Sequence, residues 1–128
     1  MLHHIELYVS NLERSERFWS WLLGQLGYEQ YQRWADGVSY RADGTYIVFV
    51  QAELRYMDVP YHRKRVGLNH LAFRAASREQ VDALTDALQD RGITLLYAHA
   101  HPFAGGERHY AVYFEDPDRI KVEIVAPA

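Results

Sequence analysis

The sequence predicts an α+β fold made of two pseudo-symmetric βαβββ modules that together form a half-open, barrel-like cleft. Three observations carry this expectation. A short alternating segment that opens on a histidine occurs twice, at His4–Val9 and, 66 positions on, at His70–Arg74. Each is followed by a helix-start signal and an amphipathic stretch, and each stretch by three further strand-like segments. The chain has 128 residues, of which 48% are hydrophobic and 24% charged, which suits a single folded domain.

In the first module, His4-Ile5-Glu6-Leu7-Tyr8-Val9 alternates as a half-buried strand does. Ser10-Asn11-Leu12-Glu13 reads as a capping box, in which hydroxyl and carboxylate satisfy orphan amides reciprocally. Ser15, Trp19, Leu22 and Leu26 then mark one helical stripe with Phe18 beside it, and Gly24 and Gly27 supply the stop. Strands are expected at about Tyr28–Trp34, Val38–Arg41 and Tyr46–Gln51, divided by the hairpin signals Asp36-Gly37 and Asp43-Gly44. Residues 52–66 are polar, contain Pro60 and Arg63-Lys64-Arg65, and show neither period. They read as a linker between module 1–51 and module 67–128 of a single domain 1–128.

The second module repeats the pattern. Ser77-Arg78-Glu79-Gln80 is the Gln version of the capping box, Val81, Leu84 and Leu88 form the stripe, and Gly92 ends the helix. Strands are expected at about Ile93–Tyr97, Tyr110–Phe114 and Ile120–Val125, with Asp116-Pro117-Asp118 as the last turn. Neither half is large enough to bury a sheet face alone, so the halves must pair, within one chain or across a dimer.

Composition excludes several classes of function. A net charge of −3 gives no basic footprint for nucleic acid or anionic lipid. With no cysteine, disulfides, thiolate catalysis and Cys-based metal sites are ruled out. The start of the chain carries no signal-peptide pattern, and the longest apolar run, Tyr46–Val50, is far too short to span a membrane, so a soluble cytoplasmic protein is expected. No phosphate-cradling glycine loop, dinucleotide fingerprint or Ser–His–Asp ordering is present. Ten tyrosines within a 14% aromatic content suggest rings lining a concave site for a small-molecule substrate.

Strand parity selects the residues that face such a site. His4 brings Glu6 and Tyr8 with it, His70 brings Ala72 and Arg74, and on the last strand Glu123 stands between apolar Val122 and Ile124. Two histidines at equivalent repeat positions plus a carboxylate on the closing strand are a standard set for Fe, Mn, Ni or Zn as divalent ions, with positions left open for a bidentate oxygen substrate. His4, His70 and Glu123 are therefore the candidate ligands of a divalent metal ion. Glu6, one pleat from His4, is a candidate catalytic group. So is His109, which follows a glycine-bearing loop, residues 102–108, expected to lie over the cleft as a lid. His99 and His101 are expected to alternate at a strand end, and the basic run beside His62 to steer an anionic substrate.

With the repeat, the run Tyr113-Phe114-Glu115-Asp116-Pro117-Asp118-Arg119-Ile120-Lys121-Val122-Glu123-Ile124-Val125 resembles the vicinal oxygen chelate superfamily. That superfamily includes glyoxalase I, type I extradiol dioxygenases, fosfomycin-resistance enzymes and bleomycin-binding proteins. The resemblance spans nearly the whole chain. It implies one metal ligand from each opening and each closing strand, and His4, His70 and Glu123 match three of the four. Laying Tyr46–Val50 over Ile120–Ile124 sets Phe49 opposite Glu123, with Gln51 the alternative fourth ligand. The remaining His, His and Glu resemble the facial triad of the extradiol dioxygenases, and Tyr113 matches the place of their active-site tyrosine. The implied function is a metal-dependent lyase, isomerase or dioxygenase acting on a small substrate with adjacent oxygens. The alternative is a metal-free sequestering protein of the bleomycin-resistance type, and a homodimer is implied in either case.

Overall fold

The computed structural model describes residues 1–128, which divide into two compact units, Met1–Pro60 and Tyr61–Ala128. The first contains β1 (His4–Val9), α1 (Leu12–Gln25), β2 (Glu29–Trp34), β3 (Gly37–Ala42) and β4 (Thr45–Gln51). Its sheet order is β1-β4-β3-β2, with β1 parallel to β4 and the other pairs antiparallel. Ile5, Leu7 and Val9 are more buried than their neighbours, and His4, Glu6 and Tyr8 share the opposite, exposed face of β1. Helix α1 covers the sheet with Trp19, Leu22 and Leu23, all fully buried, and Trp19 stacks on Phe49 at 4.8 Å.

The start of α1 differs from the expected capping box. Asn11, not Ser10, is the N-cap, and its side-chain oxygen accepts from the Arg14 amide at 3.0 Å. Asn caps as well as Ser does, and here Ser10 Oγ is taken by the Arg14 guanidinium, while Glu13 pairs with Arg17 one turn on. Gln51 completes this corner: its Oε1 accepts from Leu12 N at 2.9 Å and its Nε2 donates to Ser10 O at 2.9 Å.

Both helices end alike. Tyr28 N donates to Leu23 O and Ile93 N to Leu88 O, around left-handed Gly27 and Gly92, which is the Schellman arrangement. Gly24 lies inside α1 and is not part of the stop. Asp43-Gly44 forms the β3–β4 turn, both residues at positive φ. The β2–β3 turn instead falls on Ala35-Asp36, because Trp34 already pairs with Gly37 in the ladder. A Cβ on Gly37 would sit 2.3 Å from the Trp34 ring, so this glycine makes room for an indole and not for a turn.

The second unit contains β5 (Leu71–Arg74), α2 (Arg78–Asp90), β6 (Leu95–Leu96), β7 (Ala111–Glu115) and β8 (Lys121–Val125), in sheet order β5-β8-β7-β6 with β5 parallel to β8. Val81, Leu84 and Leu88 are buried as the stripe predicts. Ser77 Oγ accepts from Gln80 N as the capping box requires, and Gln80 Oε1 accepts from Ala76 N, one residue before the cap. At the far end, the Asp116 carboxylate accepts from the amides of Asp118 and Ile120, closing the β7–β8 turn.

Strand β6 is shorter than expected. Tyr97 takes a left-handed conformation and the chain turns into a short 3₁₀ helix at Ala98–Ala100, so His99 and His101 do not alternate on a strand. The basic run is also not free. Arg63 is half-buried and ion-paired with Glu115, so its charge is used within the unit. No helix is long and apolar enough to cross a membrane.

Candidate functional site

In the second unit, Val122 and Ile124 are fully buried on one face of β8, and alternation turns Glu123 to the other, where it is 4% exposed. A carboxylate so enclosed needs partners, because an unpaired buried charge is costly. It has three. His109 Nε2 lies 2.7 Å from Oε1, His70 Nε2 lies 3.9 Å from Oε2, and the hydroxyl of Tyr113, its cross-strand mate on β7, donates to it. Burial first, and then the bond to Glu123, pushes the Tyr113 phenol well above its ordinary range, so it remains a protonated donor.

His70 is oriented from behind. Its Nδ1 lies 2.6 Å from Asn69 Oδ1, a contact that orients the ring with Nε2 toward Glu123. His70 Nε2 and Glu123 Oε2 face each other at 3.9 Å, beyond hydrogen-bond distance. Imidazole plus carboxylate is donor chemistry that would suit a divalent transition metal, with His70 and Glu123 as residues to hold it.

His109 arrives by a different route. Residues 97–110 fold back through successive turns, Phe103 N to Ala100 O, Gly106 N to Phe103 O and His109 N to Gly106 O, while Ala111 N donates to Pro102 O. Gly105 packs so tightly here that a Cβ would lie 2.5 Å from His109 Cδ2 and 2.7 Å from the Tyr113 hydroxyl. Lys121, on the same face of β8 as Glu123, donates to Tyr97 Oη and lies over the Tyr97 and Tyr113 rings. Strand parity groups Lys121 with Glu123 in the sequence, and the structure gives it these aromatic partners.

The first unit holds the other candidates. His4 Nε2 lies 3.8 Å from Glu6 Oε1, and the His4 ring stacks on Tyr46 with centroids 4.6 Å apart. The fourth-ligand position requires a correction. Glu6 pairs with Val48 in the first unit, as Ala72 pairs with Glu123 in the second, so Val48 and not Phe49 is the repeat mate of Glu123. Phe49 faces α1, and the Gln51 carboxamide is spent on the start of that helix, so neither fits a ligand role. Valine cannot ligate, so the position is apolar all the same.

Within the second unit the structure therefore gathers His70, His109, Tyr113 and Glu123, and within the first it pairs His4 with Glu6. No group of three His, Asp or Glu side chains stands as a ready ligand cage, and in the second unit His109 is bonded to the carboxylate itself.

Residues 1–124 match the model of the Glyoxalase/Bleomycin resistance protein/Dioxygenase superfamily. The chain is 58% identical over 127 residues, 99% of each chain, to YqjT of Bacillus subtilis (strain 168), whose function is uncharacterized. It is 28% identical to the glutathione transferase FosA of Serratia marcescens, across 96% of this chain and 78% of that one. A Bacillus halodurans crystal structure described as a candidate glyoxalase superposes with a TM-score of 0.97 at 63% identity, covering 99% of this chain and 96% of that one. The fosfomycin resistance protein FosX of Listeria monocytogenes, solved as a point mutant with Mn(II) and a dihydroxypropylphosphonic acid, shares the fold with a TM-score of 0.73 at 22% identity, covering 100% of this chain and 92% of that one.

Proposed function

The chain belongs to the glyoxalase/bleomycin resistance protein/dioxygenase superfamily, and from that premise we propose that it is a divalent-metal-dependent enzyme acting on a small substrate with adjacent oxygen atoms. The observation that supports this most directly is that His70 Nε2 and Glu123 Oε2 face each other at 3.9 Å with no hydrogen bond between them. On this reading His70 and Glu123 are two ligands, and His4, at the equivalent repeat position, is the third. A bound Mn, Fe, Ni or Zn ion would supply Lewis-acid polarisation of the substrate oxygens. The Mn(II) complex of FosX makes such an ion a reasonable candidate.

The chain's own residues do the rest. Glu123 accepts from Tyr113 across the ladder, and this bond helps to orient the carboxylate. His109 Nε2 is placed to take or give a proton beside the carboxylate, as a general acid or base. Glu6 is the second candidate base, with His4 its nearest ionic partner. We assign the working form as a cytoplasmic homodimer, since β1 and β5 each lie at a sheet edge that a second copy would cover.

One observation favours the metal-free binding alternative: the direct His109–Glu123 bond already satisfies one carboxylate oxygen. Metal content separates the two readings. After anaerobic exposure to Mn(II), Fe(II), Ni(II) or Zn(II) and gel filtration, the enzyme reading expects about one equivalent per chain, lost in Glu123→Ala and in His70→Ala. Absence of stoichiometric metal in the wild type would overturn it in favour of a binding protein.

A further inference from the structure

His109 lies at the end of a segment with little regular structure, yet its Nε2 is within 2.7 Å of a buried carboxylate. Something outside the loop must hold it there. The next residue, Tyr110, points the other way and is engaged on every side. Its hydroxyl donates to Asp82 on α2 at 2.5 Å, the Arg78 guanidinium of the same helix lies 4.7 Å from its ring centroid, and Phe103 of the loop meets it edge-on at 5.6 Å. Its carbonyl accepts from Ala126 N just beyond β8.

We propose that Asp82 and Tyr110 are positioning residues that fasten the segment 98–109 to helix α2 and so keep His109 on Glu123. The inference rests on the reading that Glu123 is the centre of the site. The mechanical path is short. Asp82 and Arg78 set the plane of the Tyr110 ring, the ring carries Phe103, and Phe103 accepts the amide of Gly106 through its carbonyl. Gly105, between them, bears directly on the His109 ring and the Tyr113 hydroxyl. Tyr110 is anchored to α2 while its neighbour His109 reaches Glu123, so the anchor at 110 limits where 109 can go.

Backbone bonds from Ala111 N to Pro102 O and from Ala126 N to Tyr110 O also hold the segment, and the Tyr110 side chain adds the link to α2. His109 itself is tied to its own loop by a single backbone bond, to Gly106 O, and that bond travels with the loop. Tyr110 and Phe103 are the aromatic residues of the segment, and the bond to Asp82 links it to an element, α2, whose buried stripe of Val81, Leu84 and Leu88 fixes it to the sheet. Opening the loop would break the Phe103 contact and withdraw His109. Closing it would restore both together.

Three variants test this, with the metal-free protein as the sample: Tyr110→Phe, which keeps the ring and loses the hydroxyl; Asp82→Ala, which loses the acceptor; and Asp82→Asn, which keeps a neutral acceptor. Amide hydrogen exchange over residues 98–109 and the ¹⁵N-resolved signal of the His109 Nε2 bond are read in each. Tyr110→Phe and Asp82→Ala are expected to exchange about five-fold faster in that segment and to lose the His109 signal, with α2 and β5 to β8 unchanged, and Asp82→Asn is expected to stay near the wild type. Unchanged exchange and an unchanged His109 signal in the first two variants would overturn the proposal. So would an equal acceleration throughout the unit, since it would show a general loss of stability instead of a local fastening. Neither readout needs a bound metal, so the absence of metal binding defeats the enzyme reading and leaves this test standing.

Discussion

Tyr113 and Glu123 stand opposite each other in the β7–β8 ladder, and the phenol donates its proton toward the carboxylate. A group whose folded pKa is raised contributes its stability in full below the unfolded value and loses it as the pH climbs past that value. The unfolded value here is 10.0, and Tyr28, Tyr40, Tyr61 and Tyr110 are displaced upward as well, the first three chiefly by burial and Tyr110 chiefly by its bond to Asp82. The tyrosines should therefore leave stability flat near neutrality and lower it as the pH rises above about 10. Urea melts across that range check the direction, and tyrosinate absorbance at about pH 10 should be the same in Tyr113→Phe as in the wild type.

Gly105→Ala should damage the site out of proportion to its size. The new methyl would meet His109 and the Tyr113 hydroxyl, both already held by Glu123, so neither can move aside without breaking a hydrogen bond. A loss of about 1–3 kcal/mol in urea unfolding is expected, together with weakened metal binding. Gly37→Ala offers a control. Its methyl would meet the Trp34 ring, which is 43% exposed and has room to swing, so a cost below about 1 kcal/mol is expected.

Gln51→Ala distinguishes a structural carboxamide from a ligand. Its two bonds to the start of α1 would be lost, lowering stability by about 1–2 kcal/mol. Metal stoichiometry and affinity should not move. A fall in affinity without a fall in stability would restore Gln51 as a fourth ligand.

Trp19→Ala tests the packing that supports β1 and β4. The indole is fully buried and stacked on Phe49, so its removal should cost about 3–5 kcal/mol, read by denaturant midpoint.

Much of this architecture was legible because it is written in local chemistry. The two helical stripes, the Ser77–Gln80 cap and the glycines at 27 and 92 each act within a few residues of themselves, so periodicity and turn residues suffice to find them. Register is another matter. Matching β4 to β8 by linear offset chose Phe49, whereas ladder partners Glu6–Val48 and Ala72–Glu123 show the correct mate, and such pairing is set by tertiary packing. The role of Gln51 was hidden for the same reason, since its partners lie 39 and 41 positions away in sequence. His109 was legible as a catalytic candidate beside a glycine-bearing loop, but its partner was not. Its hold on Glu123 depends on a run of turns for which residues 97–110 carry no periodic signal.

In each sheet the first strand of the unit is also the one that must travel farthest to its place. Strands β3 and β4 meet across a tight turn at Ala42 and Thr45, but His4 of β1 pairs with Tyr46, 42 positions away, and Leu71 of β5 with Val122, 51 positions away. Closing a long loop costs entropy before any contact repays it, so the hairpins form early and β1 and β5 are recruited late. The strand bearing His4 and the one that directly follows His70 are then the last to arrive. A nascent or partly unfolded chain therefore lacks its full set of imidazoles in place.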